Sequence, residues 1–242
     1  KGLTPFKGRS MEMTRLMDCY KKTGEGEGQV IGIMGEPGMG KSRLVLEFIQ
    51  SLPAGAYINL SGSCQHFGDA IPYLPIVEII GDYLDIKDGD NETVIREKAA
   101  AKISQLEGIP ETVIPPLHEF LSLKVDDKSY SKLDGKQRRD KVFDSIRLLL
   151  FAESRAKPLV IVVDDLHWID HTSEEFLGYL VNSIAATRIM LVLLYRPEYT
   201  HSWSKKTYYS QIQLGHLPGD TSKDLIQAIL DDGDVDSDIN DL

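Results

Sequence analysis

The stretch Gly35-Glu36-Pro37-Gly38-Met39-Gly40-Lys41-Ser42 decides how the rest of this chain is read. It matches G-x-x-x-x-G-K-[ST], a spacing suited to the phosphates of a nucleoside triphosphate. Gly35, Gly38 and Gly40 free the backbone to take φ > 0 and to bring consecutive N–H groups against phosphate oxygens. Lys41 opens a helix, so its ammonium and the positive helix end face the β- and γ-phosphates together. Ser42 offers a hydroxyl to Mg²⁺, and Glu36, Pro37, Met39 and Arg43 complete the set of loop residues expected against nucleotide.

The flanks supply the order this loop needs: strand, glycine turn, helix. Gln29-Val30-Ile31-Gly32-Ile33-Met34 is a short apolar run that reads as a buried strand. Leu44, Val45, Phe48, Ile49 and Leu52 then recur at helical spacing, and Pro53 closes the segment.

A second diagnostic stretch is Leu159-Val160-Ile161-Val162-Val163-Asp164-Asp165. An uninterrupted apolar run ending in two carboxylates fits a strand buried on both faces whose tip points into a cleft. In phosphate-loop enzymes such a tip acid holds Mg²⁺ and a second acid orients the attacking water. We assign Asp164 to the metal beside Ser42, and Asp165 to water activation; the competing reading is two acids that merely end a strand. The run Arg188–Arg196 is a further buried strand ending in a charge. A guanidinium there can grip a γ-phosphate in a fork and register its loss, against the alternative of a salt bridge to Glu198 or a tip carboxylate. Lys41, Asp165 and Arg196 are thus the catalytic candidates.

The chain has 242 residues, 42% hydrophobic, with 37 acidic and 27 basic side chains and a formal charge of −10. That length suits one large α/β core with an accessory piece. The acidic balance argues against a nucleic-acid partner, which a basic face would serve. Cys19 and Cys64 form no disulfide framework and suit a reducing, cytoplasmic setting. No apolar run is long enough to span a bilayer, and no secretory leader opens the chain. The first residue is Lys1, and the chain reads as a piece of something longer.

In order, Phe6–Arg9 is a loop that could line a nucleotide base, Ser10 is the expected cap of a first helix, and Ala56–Leu60 is the expected second strand. Residues 61–157 read as mostly helical, with helices around Leu74–Leu84, Ala99–Leu106 and from Asp134, and a short one delimited by the proline breaks at Pro110 and Pro115-Pro116. Thr172-x-x-Glu175 reads as a capping box opening another helix. Gln211–Leu214 is the expected fifth strand, and a helix starting at Thr221 the first of a lid. His167 and His171 have zinc-like spacing but lack the Glu of H-E-x-x-H. The aspartates from Asp231 to Asp241 lack the glycine of a calcium loop. Both metal readings are set aside.

GEPGMGKSRL, LVIVVDDLHWIDHTSEEFL and LLYRPEY, in this order and at these spacings, resemble the AAA-like ATPase domains of the STAND class of signal-transduction ATPases. Similar modules follow bacterial class III adenylate/guanylate cyclase domains or sit in LuxR-type regulators ahead of tetratricopeptide repeats. TPFKGR resembles that family's F-x-G-R-E box, with Ser10 in place of the Glu, and points to Arg9 as a nucleotide contact. The resemblance implies a P-loop α/β/α fold with a five-stranded parallel sheet in the order 5-1-4-3-2. It implies an α/β domain over 1–215 with a helical insertion at about 70–157, and the start of a lid over 216–242 with Pro218 near adenine. It also implies ATP or ADP with Mg²⁺ as ligands, other domains of the same polypeptide as partners (cyclase or DNA-binding output, repeats), and self-association that follows the nucleotide. No cyclase activity is implied for this chain. The leading expectation is a slow ATP-hydrolysing switch. The alternatives are a nucleotide sensor without turnover and a DNA-loading ATPase of origin-recognition type.

Overall fold

The structure, a computed structural model, describes residues 6–66 and 72–216. Its frame is five strands, β1 (Gln29–Gly35), β2 (Ile58–Ser63), β3 (Leu159–Asp164), β4 (Ile189–Tyr195) and β5 (Tyr209–Leu214). All pair in parallel, in the order β2-β3-β4-β1-β5. This is the expected order read from the opposite edge.

The three central strands are the continuous apolar runs, and nearly every residue in them is buried. Alternate side chains enter two separate cores, as the two-residue period of a strand requires. Ile31, Ile33, Val160, Val162, Val192 and Leu194 meet α1 (Ser10–Gly24) and α2 (Lys41–Ser51) through Leu16, Leu44 and Phe48. Val30, Ile161, Val163, Leu191 and Leu193 face the other layer, α3 (Leu74–Tyr83), α4 (Glu92–Ser104), α5 (Ile114–Phe120), α6 (Gly135–Ala156) and α7 (His171–Val181). Each fully buried aliphatic side chain contributes about 1.5–3 kcal/mol. The half-exposed edge strands β2 and β5 therefore add less than the centre.

Among the described residues, four helices, α3 to α6, lie in the connection from β2 to β3. Gly32 sits in the middle of β1 where a Cβ would collide with the hydroxyls of Tyr195 and Tyr209. Those hydroxyls share a 2.7 Å hydrogen bond over Gly32, reaching from the two strands that flank β1.

Local boundaries shift from the sequence reading for identifiable reasons. The second strand is Ile58–Ser63 rather than Ala56–Leu60, because Ile58–Ser63 pairs residue by residue with Leu159–Asp164. Ser10 lies inside the first turn of α1, and the cap position is Arg9. Asp170 rather than Thr172 caps α7, its carboxylate accepting from the Ser173 amide. Pro115 and Pro116 do not break a helix but open α5, where a missing N–H costs nothing. Asp134 and Gln137 form a reciprocal capping box at the start of α6. The lid helix from Thr221, Pro218 and the aspartates of the tail lie outside the described residues.

Parallel strands place all their carboxyl ends on one edge of the sheet, which is where open α/β sheets bind ligands. Register aligns Met34 with Tyr195 and Gly35 with Leu214. The glycine loop, the two aspartates and Arg196 therefore gather at this edge.

Candidate functional site

The glycine loop leaves β1 and turns into α2 through two left-handed glycines, Gly38 at φ 80° and Gly40 at φ 83°. An L side chain at either position would be strained. Gly35 is different: it keeps a negative φ, contrary to expectation, and its lack of a Cβ serves close packing against Leu214 of β5. Lys41 is the first residue of α2 and is only 8% exposed. Its ammonium donates to the carbonyls of Gly35 at 2.8 Å and Glu36 at 3.2 Å, so the buried charge is paired and held over the loop. Glu36, Pro37 and Gly38 form the exposed crown of the loop, while Arg43 turns along α2 to pair with Glu47 at 2.6 Å.

From the opposite side, β3 delivers its acids. Ser42 Oγ donates to Asp164 Oδ2 at 2.7 Å. The other oxygen, Oδ1, accepts the Asp165 amide at 2.8 Å. A hydroxyl and a carboxylate thus sit together at the mouth of the loop, a set of hard oxygen donors that fits Mg²⁺. Left-handed loop amides at a helix start, together with a buried ammonium, fit a polyphosphate. A hollow of about 200 Å³ opens beside this pair, lined also by Asn59, Ser61 and Leu46. A roomier cavity of about 570 Å³ lies elsewhere, among α3, α5 and α6, and includes none of these groups.

Asp165 takes φ 53°, ψ 38°, a left-handed conformation uncommon outside glycine, and its side chain is 49% exposed. Non-glycine residues held this way cluster at active sites. The chain then makes a tight 3₁₀ turn, Leu166–Trp168. Arg196 follows β4, which lies between β1 and β3, so the chain leaves the sheet here between the strand of the loop and the strand of the acids. Its Cζ lies 5.7 Å from the Trp168 ring centre, and its Nη1 lies 3.9 Å from Glu198. The Glu198 contact is the salt bridge weighed above, at the long limit for such a pair.

Arg9 meets the loop from outside. Its guanidinium donates to the carbonyls of Met39 at 3.3 Å and Gly215 at 2.6 Å, and pairs with Glu12 at 3.1 Å. Arg9 therefore braces the loop against the end of β5.

His167 and Trp168 were missed as site residues. The His167 side chain is 4% exposed and that of His171 84%, so the two rings occupy opposite surroundings. His167 Nδ1 lies 3.9 Å from Asp165 Oδ1, and neither ring nitrogen has a hydrogen-bond partner. Leaving a buried polar group unpaired costs about 1–3 kcal/mol. Burial, and then the charge of Arg196, holds the imidazole below its ordinary pKa.

A model of the family described as AAA ATPase domain matches residues 5–193. An uncharacterized protein of Rhizobium meliloti (strain 1021) is 26% identical over 224 residues, which is 93% of this chain and 22% of the relative. The chain therefore spans about a fifth of that relative's length. Among solved structures, a Pyrococcus horikoshii STAND protein with a tetratricopeptide repeat sensor is similar at 14% identity and TM-score 0.44, over 94% of this chain and 26% of that one. The structure of Drosophila ORC bound to DNA is similar at 14% identity and TM-score 0.43, over 88% of this chain and 44% of that one.

Proposed function

This chain belongs to the AAA ATPase domain family, and from that premise we propose that it is a Mg²⁺-dependent, ATP-hydrolysing switch module of STAND type within a longer signalling protein. The observation that carries the reading is the 2.7 Å hydrogen bond between Ser42 and Asp164, which joins the loop to the tip of β3. The 22% share of the Rhizobium relative supports a place among further domains of one polypeptide.

In this reading the amides from Gly38 to Ser42 bind the phosphates of ATP, and Lys41 exchanges its loop carbonyls for β- and γ-oxygens. Ser42 and Asp164 would hold Mg²⁺, which would supply positive charge to offset that of the phosphates. Asp165 orients a water and accepts its proton at a carboxylate oxygen. The water oxygen bonds to the γ-phosphorus as the bond to the β–γ bridging oxygen breaks, leaving ADP and phosphate. Arg196 holds the γ-phosphate before cleavage and loses it afterwards. A charge-assisted hydrogen bond is worth about 1.5–3 kcal/mol. Losing one shifts a two-state equilibrium by roughly tenfold to a hundredfold, enough for a switch. The described residues up to 215 make up the nucleotide-binding unit of this reading, and the lid expected over 216–242 lies outside the described residues but for its first position.

The test is to identify by mass spectrometry the nucleotide that co-purifies with the chain and to repeat the analysis on Lys41→Ala. We expect an adenine nucleotide in the first and none in the second. A wild-type chain that takes up no nucleoside triphosphate with Mg²⁺ would end this reading.

A further inference from the structure

The left-handed turn at Asp165 sends the chain back under its own carboxylate, and this puts the His167 ring inside the site described above. Its side chain is 96% removed from solvent, since 4% remains exposed, yet both ring nitrogens lack partners. An aliphatic residue would fill the same space without two orphaned polar atoms, so packing alone does not account for an imidazole there. The charged groups around the ring are Arg196, Asp165, Glu198 and Lys41, the residues to which the ATPase reading assigns the chemistry, plus one carboxylate. Burial and the two cations keep the ring neutral, and a neutral imidazole carries one N–H donor and one acceptor nitrogen. Trp168, the next residue in the same turn, has its ring centre 5.0 Å from His167 and lies beneath the Arg196 guanidinium. One short turn thus carries a neighbour for each of the two groups that act on the γ-phosphate.

We propose that His167 is a positioning residue for ATP hydrolysis, donating from Nδ1–H to Asp165 Oδ1 and fixing that carboxylate toward the attacking water. The proposal rests on the ATPase reading and adds a residue to it. The present separation of 3.9 Å closes to the roughly 2.9 Å of an N–H···O bond by rotation of the half-exposed Asp165 side chain. His167 touches neither phosphate nor metal in this arrangement. Its effect falls on the rate of cleavage and spares binding.

The experiment uses the whole chain, measuring ATP affinity by calorimetry and single-turnover phosphate release with Mg²⁺. The variants are His167→Leu, His167→Asn, Asp165→Asn and the Leu/Asn double. A misplacement of about 1 Å at a catalytic group costs about a hundredfold in rate. We therefore expect His167→Leu to release phosphate about a hundredfold more slowly with an unchanged ATP affinity. His167→Asn, which offers an amide N–H close to the Nδ1 position, recovers part of that loss. The double variant is no slower than Asp165→Asn alone. ¹⁵N spectra of the wild-type imidazole give a readout that needs no variant to fold: the Nδ1–H tautomer is expected, with slower proton exchange once Mg·ATP is added. An Nε2–H tautomer, an unchanged rate in both His167 variants, or losses that multiply in the double variant would each overturn the assignment while leaving the ATPase reading intact. A wild-type chain that binds ATP and never cleaves it overturns both.

Discussion

Ser42 and Asp164 stand 122 positions apart in the chain and share a 2.7 Å hydrogen bond. The Asp165 amide occupies the second oxygen of the same carboxylate, so Asp164 is oriented from both sides. No long side chain has to be ordered to make the contact, because Ser42 lies in the first turn of a helix and Asp164 ends a strand whose other residues are buried. The pair is therefore set in place by backbone elements rather than by flexible side chains.

The first prediction concerns that pair. Asp164→Ala should abolish the tightening of ATP binding by Mg²⁺ while leaving affinity in EDTA nearly unchanged, and Ser42→Ala should do the same more weakly. Calorimetry with and without the metal reads both. An undiminished Mg²⁺ effect in Asp164→Ala would remove Asp164 from the metal site.

A second prediction separates Arg196 from its support. Arg196→Ala should reduce the preference for ATP over ADP by at least about tenfold, the loss of one charge-assisted contact. Trp168→Ala removes the ring beneath the guanidinium, a contribution of about 0.5–1 kcal/mol at a partly exposed site. It should cost only a few-fold. Equal effects from the two variants would show that Trp168 acts on something other than Arg196.

Gly32→Ala should destabilise the fold by about 1–3 kcal/mol, since the added methyl overlaps the hydroxyls of Tyr195 and Tyr209. Adding Tyr209→Phe, which removes one of those oxygens, should restore part of the loss. Urea denaturation of the single and double variants provides the comparison, and a fully additive result would count against the overlap as cause.

Stability should fall as pH drops below about 6.5, the ordinary histidine value from which the half-buried His118 and His201, like His167, depart downward. Burial lowers His201, and burial followed by the nearby Arg96 charge lowers His118. Between the lowered folded values and 6.5 the unfolded chain binds more protons, so stability is full above that window and is lost on acidification through it. Arg96 Nη1 already donates to His118 Nδ1 at 2.9 Å, a bond that a protonated ring cannot accept. His201→Phe and His118→Gln should flatten the change in urea midpoint between pH 7.5 and 5.5; an unaltered slope in both would exclude these rings as its source.

Much of the centre of this fold was legible in local pattern. Val160–Val163 and Met190–Leu194 are apolar without alternation, and both are strands buried on both faces. The glycine loop and the tip aspartates were legible for the same reason: spacing along one segment sets their geometry. Strand order was not readable that way and came from family resemblance alone. What local pattern could not supply were contacts between distant segments, such as Arg9 reaching Gly215 across 206 positions. Two capping-competent side chains, Asp170 and Thr172, lie two residues apart, and the extended backbone after Ile169 selects the first. His167 was read for a spacing shared with His171, whereas its meaning lies in a backbone turn at Asp165 that no side-chain pattern encodes.

That turn also governs which substitutions at position 165 are interpretable. A residue at φ 53° pays roughly 1–2 kcal/mol unless it is glycine, asparagine or aspartate. Asparagine therefore preserves the backbone and deletes only the charge, so a defect in Asp165→Asn reports lost chemistry. Valine or isoleucine would unwind the bend, carry His167 and Trp168 away with it, and mimic a catalytic lesion through misfolding of three neighbours at once.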